Sequence, residues 1–135
     1  MTGEPREIMV RAIERPKRRD PEDELRWLCQ CFGFEPGDPR VEILREIVAA
    51  EKNEQGVRST VISTNLQITR GGAVYHLNRM IESGLIVRKG HEYQLRATSL
   101  EETLEEVEED MLRMFKRMRQ IAKELDQDLG LGPQE

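Results

Sequence analysis

No run of eighteen apolar residues occurs in the 135 positions, so a membrane-crossing helix is not expected. The N-terminal stretch MTGEPREIMVRAIERPKRRD carries charges where a signal peptide would need its apolar segment, and a cytoplasmic location is the expectation. Cysteine is limited to Cys29 and Cys31, separated by one residue, a loop too short to gain from cross-linking; reduced thiols are expected. The only two histidines, His76 and His91, lie close together in the second half of the chain, while acids crowd its last third. No nucleophile and base can be assembled from these, so an enzyme is not expected. The pair Gly71-Gly72 follows no strand and lacks the spacing of a Walker or Rossmann loop. No cofactor or metal is expected.

What is present is charge and helix. The apolar fraction of 37% is low and the charged fraction of 35% is high, which describes solvated helix surface around a thin core. Such a chain suits one small domain carrying an extended oligomerisation helix, and a thin core favours dimerisation. The net charge of −5 is unevenly spread. Residues 56–97 hold six Lys and Arg against two Asp and Glu, whereas residues 98–135 hold five against eleven. The positive block is the segment with the most structured pattern.

Read in order, residues 1–21 mix Pro5, Pro16 and Pro21 with the cluster Arg15, Lys17, Arg18 and Arg19, the composition of a flexible basic and acidic arm. The run DELRWLCQCFGF predicts a short helix capped by Asp20 and ended by Gly33. Asp38 and Pro39 predict the start of a second, from Arg40 to about Asn53, with Val41, Leu44, Ile47 and Val48 on one face. A third helix from Val57 or Ser59 presents Val61, Ile62 and Leu66. A fourth, over Thr69 to Ser83, turns Ala73, Val74, Leu77, Met80 and Ile81 inward. Only Asn65 to Ile68 separates these two, which forces a steep crossing. Gly84 stops the fourth helix, and Leu85 to Val87 with Tyr93 to Leu95 predict a hairpin across Arg88-Lys89-Gly90-His91.

From Ser99, with Glu102 in capping-box position, Leu100, Leu104, Val107, Met111, Met114, Met118, Ile121 and Leu125 alternate spacings of four and three. This heptad stripe reads as a dimerisation seam; packing within one subunit is the alternative. The fold class is mainly α with a small β-hairpin wing. It comprises a winged helix-turn-helix domain over 22–97, a coiled-coil dimerisation helix over 98–130 and a tail over 131–135.

The run TRGGAVYHLNRMIESGLIVRKGHEYQLR resembles the recognition helix and wing of archaeal and bacterial winged-helix transcriptional regulators of the ArsR-like and MarR-like kind. The resemblance implies a homodimer that binds double-stranded DNA and regulates transcription. It would place Thr69, Arg70, Gly71 and Gly72 at the end of the helix that approaches the major groove. Physical reasoning agrees, because a helix N-terminus offers N–H groups and glycines let backbone and DNA approach. Arg70 is the candidate for guanine readout, Tyr75 and Arg79 share an outward face, and Ser59 and Thr60 would touch the backbone. Arg88, Lys89 and His91 would clamp the minor groove or its phosphates, a solvated hairpin tip being the alternative. Two such helices would enter successive major grooves about 34 Å apart.

Two other readings stand beside this one. A winged helix also serves in protein-interaction adaptors, which net acidity favours. The Cys-x-Cys pair invites comparison with ArsR-family metal sensors, but it precedes the first motif helix by about ten residues and has no third ligand nearby. No small-molecule effector is indicated.

Overall fold

The computed structural model describes residues 7–17 and 19–133. Helix takes up 60% of the molecule, joined by one small three-stranded antiparallel sheet and a long C-terminal helix. Two aspartates begin the first two helices as expected. Asp20 accepts from the Glu22 amide at 3.0 Å to start α1 (Pro21–Cys31), and Asp38 accepts from the Arg40 amide at 2.9 Å to start α2 (Pro39–Glu51). Each helix has proline in its first turn, where a missing N–H costs nothing. The predicted apolar face of α2 is widened by Ile43, which is fully buried beside Val41, Leu44 and Ile47. The cause is position: α2 runs through the middle of the domain and touches α1, the next two helices and the sheet.

Strand β1 (Val57–Arg58) leads directly into α3 (Ser59–Leu66), which crosses to α4 (Arg70–Glu82) through Gln67 in left-handed conformation, φ 55°. Thr69 caps α4 by accepting from the Gly72 amide at 2.9 Å. Gly84, at φ 88°, ends the helix and admits β2 (Ile86–Lys89) and β3 (Glu92–Leu95). The sequence predicted a hairpin alone; β1 adds a third strand on the far side of β3, with Val57 opposite Tyr93 and Arg58 opposite Glu92. Two residues are too short for a periodic signal, which is why the strand was not legible. Val61 was expected inward but is 46% exposed, and Ile62 alone of α3 is fully buried. An eight-residue helix lying over one side of the domain has only a narrow buried edge.

Helix α5 (Leu100–Leu129) is about 45 Å long at about 1.5 Å per residue. Ser99 accepts from the Glu102 amide at 3.1 Å, while the Glu102 carboxylate accepts from the Thr98 hydroxyl at 2.8 Å instead of completing a reciprocal box. The heptad stripe divides. Val107 is buried, and Leu100, Leu104 and Met111 pack half-buried against the core of their own subunit. Met114, Met118, Ile121 and Leu125 are 39 to 57% exposed. The expectation that all eight residues form a dimer seam is therefore corrected for the first four. The four-residue link from β3 folds the first turns of α5 back onto the domain, and Arg96 locks them there by pairing with buried Asp110 and, at 3.3 Å, with Glu106.

Residues 7–13, read as part of a flexible arm, lie extended against the domain. The Glu7 amide donates to the Glu82 carbonyl at 3.1 Å, the Arg11 amide to the Cys31 carbonyl at 2.6 Å, and Trp27 Nε1 to the Ile13 carbonyl at 3.0 Å. Ile8 packs on the core, an apolar contact that the arm's average polarity concealed. Of the basic cluster, Arg18 lies outside the described residues. No helix among the described residues is long and apolar enough to cross a membrane.

Candidate nucleic-acid interface

Three chain segments converge on one cleft of about 370 Å³: the junction of β1 with α3, the first turn of α4, and the hairpin. Its walls are Arg58, Ser59 and Thr60 from the first, Arg70 and Val74 from the second, and Arg88, His91 and Tyr93 from the third. Arg58 stands at the N-cap of α3 and its side chain makes no capping hydrogen bond, so the first amides of that helix are left uncapped beside the cleft that Ser59 and Thr60 line. A helix N-terminus and three guanidinium groups around one hollow form a site for anions, with Ser59 and Thr60 supplying hydroxyl donors. Arg88 is braced by its Nε donating to the Gly90 carbonyl at 2.9 Å and by lying 5.7 Å from the Tyr93 ring centroid.

Five residues singled out from sequence therefore meet here: Ser59, Thr60, Arg70, Arg88 and His91. The others are distributed around them. Thr69 spends its hydroxyl on the cap of α4, accepting from the Gly72 amide, and a Cβ at Gly72 would crowd that cap at 2.9 Å from Thr69 Oγ1. Gly71 is different. A Cβ at Gly71 would meet nothing within 4 Å, so nothing in the protein itself requires glycine there. Tyr75 is 60% exposed, in edge contact with the His76 ring at 5.4 Å between centroids. Lys89 is exposed on β2 opposite Glu92, outside the lining of the cleft.

Arg79 does not join the cleft. It lies at the other end of α4, 3.4 Å from the Glu7 carboxylate of the docked N-terminal segment. Arg96, counted in the positive block, is likewise committed to Asp110 and Glu106. The missing member was Arg58. A signal was available, since Arg58 directly precedes Ser59 at the start of a helix, but its strand partner Glu92 is distant in sequence.

Cys29 is buried, and burial, reinforced by nearby Asp38, pushes its thiol up to about 12, away from thiolate chemistry. Burial also raises Cys31, which is only half-buried. Among the described residues no three His, Cys, Asp or Glu side chains are grouped to hold a metal ion. No family model, curated protein or solved structure matches the chain.

Proposed function

We propose that the protein is a winged helix-turn-helix regulator that binds double-stranded DNA as a homodimer. The observation that carries this reading is the cleft that gathers Arg58, Arg70 and Arg88 beside the open N-terminus of α3. In this reading α4 is the recognition helix, the β2–β3 hairpin is the wing, and the cleft between them receives the DNA backbone. Phosphate contacts at the cleft set position, and Arg70, at the first position of α4, reads guanine edges in the major groove. Gly71 is compatible with the same geometry, because no protein atom lies within 4 Å of where its Cβ would stand and a backbone could approach there. The resemblance of residues 69–96 to ArsR-like and MarR-like regulators points the same way.

Fluorescence titration of a random-sequence duplex at several salt concentrations tests the reading. Log K falls linearly with log salt, because neutralised phosphates release counterions. Absence of binding at low salt contradicts DNA binding and supports the adaptor reading, which the net charge of −5 favours.

A further inference from the structure

The exposed half of α5 carries more apolar surface than a heptad seam alone. Besides Met114, Met118, Ile121 and Leu125, the large side chains Leu112 (62%), Phe115 (51%) and Leu129 (67%) face solvent. Charge along the same half is polarised: Arg113, Lys116, Arg117, Arg119 and Lys123 come first, then Glu124, Asp126 and Asp128. Two copies side by side and parallel would set basic against basic and acidic against acidic. Reversing one copy sets the basic turns against the acidic turns.

We propose that residues 112–127 of α5 pair antiparallel with the same segment of a second copy, about a twofold axis between Arg119 and Gln120. The inference rests on the homodimer reading above and adds its register. In that register Met118 faces Ile121 of the second copy and Met114 faces Leu125. Phe115 meets Ala122, large against small, and Arg117 meets Glu124 on the opposite flank.

The domain itself selects this arrangement. The apolar stripe continues along one face from the covered half of α5 into the exposed half, with Val107 and Asp110 already buried by the subunit's own core. A parallel partner would keep running beside that face into space the domain occupies. An antiparallel partner reaches its last helical residue, Leu129, opposite Asp110, where the domain's own cover begins. The helix is thus the length that fills the uncovered seam. The two copies of Val107, the most deeply set α5 residue of its heptad stripe, then stand about 38 Å apart along the helix axes at about 1.5 Å per residue. That separation is close to the roughly 34 Å between successive major grooves on one side of a duplex.

Thiol cross-linking of the full chain tests the register. Met114→Cys and Leu125→Cys are each made in a chain carrying Cys31→Ser, and the parent is examined by sedimentation equilibrium. The expected result is a dimer by sedimentation, no linked dimer from either variant alone, and a mixed disulfide when the two exchange subunits and are oxidised. A dimer in which either variant links to itself overturns the antiparallel register and leaves dimerisation standing. A dimer that yields no mixed disulfide overturns the pairing of 114 with 125. A monomer at all concentrations overturns the register together with the homodimer.

Discussion

At the scale of single residues, the arginines of the positive block divide by what already holds them. Arg58, Arg70 and Arg88 line an open cleft, whereas Arg79 meets Glu7 and Arg96 is clamped by two acids. Arg58→Ala and Arg88→Ala should weaken binding to every duplex alike and lower the salt slope by about one each. Arg70→Ala should instead cost about 1 to 3 kcal/mol on a preferred site and relax its selectivity; equal loss on all sequences would remove its reading role. Arg79→Ala should stay within the roughly 0.5 kcal/mol of an ordinary surface change. Gly71 gives a prediction of opposite signs. Its Cβ space is empty, so Gly71→Ala should raise the melting temperature by reason of up to about 1 kcal/mol of helix propensity, while weakening DNA binding. A variant that gains stability and keeps full affinity would show that the glycine serves no close approach.

At the scale of elements, helix ends were legible because capping is local chemistry. Asp20, Asp38, Thr69 and Ser99 start their helices within two or three residues of the amide each accepts from. What was not legible depends on distant contacts: the pairing of β1 with β3, the docking of residues 7–13, and the division of the α5 stripe. Heptad spacing reports an apolar face and says nothing of which surface covers it. The cleft was partly legible for the same reason, since its Ser, Thr and Arg members were visible one by one while the strand pairing that brings Arg58 to the hairpin joins distant residues.

Two element junctions give measurable consequences. Asp110, 4% exposed, is paired with Arg96 at 17% exposure, and Asp110→Ala would leave a largely buried guanidinium without its main partner. A loss of about 3 kcal/mol in denaturant unfolding is expected. Asp38 is pulled up by burial, but hydrogen bonds from the Arg40 side chain and backbone outweigh this and hold its carboxyl below the ordinary value. A carboxyl lowered in the folded state stabilises above the unfolded value, about 3.9, and loses that contribution as pH falls through the folded value. Stability should therefore decline below about pH 4, and Asp38→Asn should flatten that part of the profile.

At the scale of the whole molecule, net charge misleads about partners. The chain is acidic at −5, yet its acids concentrate on α5 while the cleft between α3, α4 and the hairpin is lined by arginine. One domain therefore presents a cationic hollow on one side and a 30-residue helix with an apolar outer half on another. In the proposed reading the first takes duplex DNA and the second a further copy of the chain. The most direct measurement is a map of backbone amide chemical shifts in the full chain as duplex DNA is added at low salt. The account predicts the largest changes at residues 58–60, 69–72 and 88–91, with those at Arg79 and along residues 112–129 small. Changes confined to α5, or none at any of the three cleft segments, would contradict it.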